Sequence, residues 1–187
     1  RLEQQAKNLL QLNEELVQIA VTDQLTRLYN RRHFDTMLDE ELGLCRRYGD
    51  THALIMTDID LFKSVNDRYG HDVGDHVLRI MADRLREHVR TTDVIFRPGG
   101  EEFGVLCRRA SGDIGFLVAE KLRKAVAASP FMVNGTQIEL TASFGVAEMT
   151  AARSVQDVYR RADAALYRSK HDGRNRVTVD NADVTLT

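Results

Sequence analysis

The sequence predicts a mixed fold of the α+β kind: a largely antiparallel central sheet flanked by helices, preceded by a coiled-coil helix. Three patterns carry this. Short apolar runs rich in β-branched and aromatic residues alternate with longer stretches of helical period. Two pairs of those runs meet at tight turns, Gly99-Gly100 and Asn134-Gly135, which marks hairpins. The connections through the middle are too short for the helical crossovers that parallel neighbours need. With 187 residues, 43% of them apolar, the chain suffices for one domain with a proper core and an appendage.

The elements follow in order. Residues 1–21 read as one helix. Leu2, Leu9 and Leu16 fall on one heptad position, and Gln5, Leu12 and Ile19 on the other seam position. So narrow a stripe calls for a partner, and a parallel coiled coil joining two copies is expected over a helix folded back on its own domain. At about three heptads it is marginal alone. Residues 22–32 break the heptad. Asn30 is a candidate N-cap for a helix over about 31–48, with Phe34, Leu38 and Leu42 inward and Gly49 at its end. Residues 53–60 form a buried strand that finishes in acid. Residues 61–74 read as an irregular polar segment. Asp75 then opens an amphipathic helix to about residue 90 through Val77, Leu78, Met81, Leu85 and Val89. The first hairpin pairs 94–96 with 103–106. A helix over about 113–129 precedes the second hairpin, 131–133 with 138 onward, and a strand over 140–147; both hairpins are expected inside one sheet. A helix over 155–171, stopped by Gly173, leads to a short strand at 176–179 and a loose tail. The expected division is 1–21 signalling helix, 22–178 domain, 179–187 tail.

Charge and composition exclude several classes. The 26 basic and 28 acidic residues leave a net charge of −2, which gives no sign of a nucleic-acid or membrane surface. No run approaches the ~20 apolar residues that span a bilayer, and no signal peptide is visible. Cys45 and Cys107 are isolated in apolar surroundings and read as buried thiols, which leads to the expectation of a cytoplasmic protein. The chain opens on Arg, not Met, which leaves room for an upstream sensor or membrane segment.

The chemistry gathers at the ends of strands. Asp58 closes one strand, and Glu101 and Glu102 sit on the tip of a hairpin whose glycines let a ligand lie close to the backbone. Adjacent ionised carboxylates repel, so a bound cation is a reason to keep them together; a solvated acidic turn is the equal alternative on these residues alone. If the Asp58 strand lies beside the hairpin, hard oxygen ligands converge in a way that suits Mg²⁺ or Mn²⁺ carrying a nucleoside triphosphate. Lys63 lies just beyond Asp58. Lys170 and Arg174, four apart at a helix end, either neutralise phosphates or simply favour the helix C-terminus, and spacing alone prefers the latter. Asn66 and Asp75 have the donors and acceptors to read a guanine edge, though Asp75 is equally a helix cap.

Taken together, these residues resemble the GGDEF family of diguanylate cyclases, in the form Gly99-Gly100-Glu101-Glu102-Phe103. The family's signatures recur in order: Asp23-x-Leu25-Thr26 with Asn30-Arg31-Arg32; Asp58-Ile59-Asp60-x-Phe62-Lys63; Asn66-Asp67; Gly70-His71-x-x-Gly74-Asp75; the hairpin; Ser143-x-Gly145; and Ala162-Asp163-x-Ala165-Leu166-Tyr167 leading to Gly173-Arg174-Asn175. The resemblance implies a fold similar to nucleotidyl cyclases and polymerase palms. It implies that Asp58, the Ile59 carbonyl and Glu101 are the ligands of Mg²⁺ (or Mn²⁺), with Glu102 a catalytic carboxylate. Asn66 and Asp75 would read guanine; Lys63, the backbone of Leu61 and Phe62, Lys170 and Arg174 would hold phosphates. The implied activity condenses two GTP into cyclic di-GMP with release of two pyrophosphates. Two equivalent bonds call for two facing half-sites, hence a homodimer through the N-terminal helix, with a sensor domain or regulatory protein upstream. Arg90-Thr91-Thr92-Asp93 matches the family's product-inhibition motif, and Lys121 stands where some relatives place a further arginine. Two departures are Arg27, where the family usually has Gly, and Pro98, between Arg97 and the glycines. The rival is an inactive member that only senses cyclic di-GMP; members of that kind usually lose carboxylates that this chain retains.

Overall fold

A computed structural model describes residues 4, 5, 7, 8, 12, 17, 19–150 and 153–180. Its centre is a six-stranded sheet in the order β1-β3-β4-β2-β7-β8. The strands are β1 (Tyr29–Asn30), β2 (His52–Ile59), β3 (Val94–Gly99), β4 (Glu102–Cys107), β7 (Ala142–Met149) and β8 (Val177–Val179). The four inner strands pair antiparallel, while β1 with β3 and β7 with β8 are parallel. The expected mixed, largely antiparallel sheet is therefore observed.

The period of two in β2 explains the layers. Ala53, Ile55 and Ile59 point into a core shared with α2 (Phe62–Tyr69), α3 (His71–His88) and α4 (Gly112–Ala127). Leu54 and Met56 point the other way, against α1 (Arg31–Tyr48) and α5 (Val155–His171). Asp58 shares the parity of Leu54 and Met56, so its carboxylate is aimed at the α1 and α5 side. α5 can lie this close because Gly145 faces it: a Cβ there would meet the Ala162 carbonyl oxygen and the Leu166 nitrogen at 2.2 Å each.

Several expectations need correcting. The second hairpin, β5 (Phe131–Val133) with β6 (Thr136–Ile138), forms its own two-stranded sheet. Both edges of the main sheet are already taken, by β1 and β8, and the hairpin buries Phe131, Val133 and Ile138 against the α3 and α4 core instead. Residues 61–74 are not irregular: α2 occupies eight of them, and α3 begins at His71, not Asp75. Phe62 and Val65 give α2 a buried face too short to show as a period, and Gly70, at φ +88°, separates the two helices. Asp75 is thus inside α3 and is not its cap. α3 ends at His88, before Arg90. Asn30 does cap α1, accepting from the His33 N–H at 3.0 Å.

Of the heptad positions, Leu2, Leu9 and Leu16 lie outside the described residues, as does the tail beyond Asp180. Gln5, Leu12 and Ile19 are helical and exposed, Leu12 at 53% and Ile19 at 57%. Among the described residues no helix is long and apolar enough to cross a membrane.

Candidate active site

The site forms where β2 ends beside the β3–β4 hairpin. Asp58 and Glu102 are register partners across the β2–β4 ladder, so their side chains leave the same face of the sheet. Glu101 sits in the turn just before Glu102, after Gly99 and Gly100 at φ +151° and +56°. Only glycine takes such angles readily, which is why the tip needs both. Pro98 falls in the irregularity between Phe96 and Gly99, where the ladder is already interrupted, so its missing N–H removes no strand pairing.

Asp58 is 6% exposed. Burial pushes its carboxyl up from 3.8 to about 6; Glu101 and Glu102 reinforce the rise and Lys170 opposes it. Lys170 reaches over from α5, with Nζ 2.8 Å from Asp58 Oδ2. Glu102 is also raised, by burial and then by the Asp163 and Glu101 carboxylates, against Lys170 and Arg31. A half-buried acidic group of this kind is a poor arrangement for stability and a good one for holding cationic charge. Among the described residues no three His, Cys, Asp or Glu side chains stand at the spacing of a ready metal site. The donors nonetheless suit a hard divalent ion, and Lys170 supplies the positive charge that Asp58 requires here.

Of the other candidates, Leu61, Phe62, Lys63 and Asn66 lie on or beside α2, and Arg174 lines one cavity with Leu61. Leu61 is 61% exposed and takes a left-handed conformation, φ +58°, that turns the chain into α2; Phe62 behind it is buried. Lys63 is exposed. Asn66 lies against α3, where a Cβ on Gly74 would stand 2.0 Å from its Oδ1. That oxygen is buried without a partner among the described residues, which leaves the amide available to a ligand. Asp75 is exposed on α3 next to Gly74. Arg174, at φ +60°, lies in the loop after α5. Arg90 and Asp93 form a tight turn: the Arg90 N–H donates to Asp93 Oδ2 at 3.2 Å and the Asp93 N–H to the Arg90 carbonyl at 3.0 Å. Lys121 is engaged elsewhere, donating to the His88 carbonyl at 2.9 Å.

Three contributions escaped the sequence reading. Asp60 binds no ligand-facing group. It accepts from Thr141 Oγ1 at 2.6 Å, Ser143 Oγ at 2.7 Å and the Asn175 N–H at 3.0 Å, and so fixes the loop that carries Arg174. Arg97 ties the segment after the N-terminal helix to the hairpin tip: it pairs with Asp23 at 2.9 Å and donates to the Gly100 carbonyl at 2.6 Å. Asp163 and Arg31 bias Glu102 from α5 and α1. The sequence offered Asp163 and Arg31 as members of the family's motifs and gave neither a role at Glu102.

A mixed sheet with acids at a strand end and on a glycine hairpin, met by a lysine on one face and followed directly by an amide-bearing helix on the other, defines a nucleotide-handling domain of the palm type. The chain belongs to the GGDEF domain family of diguanylate cyclases, whose model matches residues 20–176. It is 42% identical over 178 residues to diguanylate cyclase DgcP of Pseudomonas aeruginosa, covering 95% of this chain and 26% of that protein. It is 39% identical to diguanylate cyclase A of Treponema denticola, covering 89% and 46%. The chain thus spans between about a quarter and a half of these relatives. Among solved structures it is similar to the coiled coil and GGDEF domain of DgcB from Caulobacter crescentus in complex with c-di-GMP: 36% identity, TM-score 0.85, 96% of this chain and 97% of that one. It is also similar to the diguanylate cyclase SiaD of Pseudomonas aeruginosa in complex with its activator SiaC, at 34% identity and TM-score 0.84, over 95% and 68%.

Proposed function

We propose that this chain condenses two GTP into cyclic di-GMP and two pyrophosphates. The observation that carries the reading is the registered pair Asp58 and Glu102, with Glu101 at the tip and Lys170 opposite, on a chain of this family. Asn66 and Asp75 receive the guanine. Lys63, the Leu61 and Phe62 backbone, Lys170 and Arg174 take the phosphates; Lys170 leaves Asp58 for the triphosphate when substrate arrives. Asp58, the Ile59 carbonyl and Glu101 would hold Mg²⁺ (or Mn²⁺), which when bound neutralises charge on the triphosphate and acidifies the 3′-hydroxyl. Glu102, whose carboxyl is raised above its ordinary value by burial and by Asp163 and Glu101, helps take the hydroxyl proton.

Each chain supplies one half-site, so the working unit is a homodimer, brought together by the N-terminal helix and set by an upstream sensor or regulatory protein. Residues 1–21 are then the signalling helix, 22–178 the catalytic domain and 179–187 a tail, working in the cytoplasm where GTP is. Arg90 and Asp93 form a product site that lowers the rate as cyclic di-GMP accumulates. Arg108, just after β4 and held by Glu41 at 2.6 Å, donates to the Thr92 carbonyl at 3.3 Å and steadies that turn. The test is incubation of the purified chain with GTP and Mg²⁺, followed by chromatographic separation of nucleotides. Cyclic di-GMP with two pyrophosphates is expected; unconsumed GTP at dimer-forming concentration overturns the reading.

A further inference from the structure

A groove of about 1040 Å³ runs along the face of α2 turned away from Asn66, between that helix and the β5–β6 hairpin. It starts at Asp60, Leu61 and Arg174, directly after the acidic strand end, and passes Ser64 to Arg68. Ser64 and Arg68 are four apart and share one face of α2, below Leu61 at the helix start. Two guanidiniums thus stand along one channel. Neither the Arg68 nor the Arg174 side chain has a hydrogen bond or ion pair among the described residues; Arg68 only leans on the Tyr69 ring at 5.1 Å. The Asp60 carboxylate does not compete for them, because Thr141, Ser143 and the Asn175 N–H already use it.

We infer that this groove is a binding subsite and exit path for inorganic pyrophosphate, with Arg68 as its second anion contact after Arg174. The inference rests on the cyclase reading above. When the 3′-oxygen of one nucleotide bonds to the α-phosphorus of the other, the bond to the pyrophosphate oxygen breaks and the hydroxyl proton leaves. Attack and departure are in line. The nucleophile arrives from the partner chain, across the dimer axis. Pyrophosphate therefore departs on the side facing back into its own domain. There the open space adjoining Leu61 and Arg174 is this groove. With the base held on the opposite face of α2 by Asn66 and Asp75, the triphosphate ends at Leu61 and Arg174, and Arg68 lies about two helical turns further along the groove. Arg68 consequently separates free pyrophosphate from the substrate's triphosphate. Glu139, on the hairpin side of the groove, suits the magnesium that accompanies pyrophosphate in solution.

The test is calorimetric titration of the full chain with magnesium pyrophosphate and, separately, with a non-hydrolysable GTP analogue, in the parent, Arg68→Ala and Arg68→Lys. Arg68 is exposed, so neither variant disturbs the core. Loss of a charge-assisted contact should weaken pyrophosphate about tenfold in Arg68→Ala, with partial recovery in Arg68→Lys and analogue affinity within about twofold of the parent. Inhibition of turnover by added pyrophosphate should weaken in parallel. Equal pyrophosphate binding in parent and Arg68→Ala would make Arg68 an ordinary solvated cation at a helix C-terminus and overturn the assignment. So would equal losses for pyrophosphate and analogue, or no pyrophosphate binding by the parent. Binding is read without turnover, so a chain that makes no cyclic di-GMP defeats the cyclase reading separately.

Discussion

Replacing Asp58 by Asn should make the protein more stable while ending its activity. The carboxylate is 6% exposed, and its pKa is raised from 3.8 to about 6 even with Lys170 at 2.8 Å. The folded state therefore binds this proton more tightly than the unfolded chain. Stability conferred by the neutral form is fully present below pH 3.8 and is lost as the pH rises through about 6. A shift of that size corresponds to about 3 kcal/mol above the window. Asn keeps the shape of the neutral acid and has nothing to ionise. Lys170, 34% exposed at its side chain, can turn to water once unpaired. Urea denaturation with a chelator present, at steps from pH 4 to pH 8, should show the two proteins nearly equal at the acid end. At pH 8 the variant should be more stable by about 3 kcal/mol. A variant no more stable than the parent at pH 8, or a difference that does not change with pH, would refute the reasoning.

Four further outcomes follow from the same geometry. Glu102→Ala should fold normally, judged by circular dichroism, yet lose cyclic di-GMP synthesis by about a hundredfold or more, since it removes a carboxylate from the reacting end and not from the core. Gly74→Ala puts a Cβ 2.0 Å from Asn66 Oδ1, so the KM for GTP should rise about tenfold with little loss of thermal stability; an unchanged KM removes Asn66 from the guanine site. Arg27 is held at φ +60°, where a side chain costs roughly 1–2 kcal/mol, so Arg27→Gly should raise stability by about 0.5–1 kcal/mol in denaturant titration. Arg90→Ala should stay active and lose most of its sensitivity to added cyclic di-GMP in initial-rate assays, and inhibition that yields to excess GTP would place the effect at the substrate site instead.

Much of the fold was legible because it rests on local rules. Apolar runs and glycine turns marked the strands and both hairpins, and Asn30 and Gly49 bounded α1 through capping chemistry that acts within a few residues. The candidate residues were legible too, since Asp58, Glu101, Glu102, Asn66, Asp75, Lys170 and Arg174 all stand in ordered motifs, and the structure draws Asp58, Glu101, Glu102 and Lys170 into one charged group. What remained hidden were quantities that depend on partners distant in the chain. α2 was missed because two buried residues are too few to show a period, and its face is defined only by what it meets. The second hairpin went to the wrong sheet because edge occupancy by β1 and β8 is a property of the whole assembly.

Asp60 and Asp58 look alike in the sequence, two acids at one strand end. Only the folded molecule separates them: Asp60 is satisfied by Thr141, Ser143 and Asn175, from far along the chain, while Asp58 is aimed by strand parity at Lys170 and set beside Glu102 by register. By itself, then, the sequence determined which candidate groups the chain carries and which of them close a strand or sit on a hairpin tip. The tertiary structure decided which of those groups are spent on holding the fold and which are left charged, buried and facing one another. That division depends on desolvation and on contacts between strands and helices, which no local stretch of chain contains.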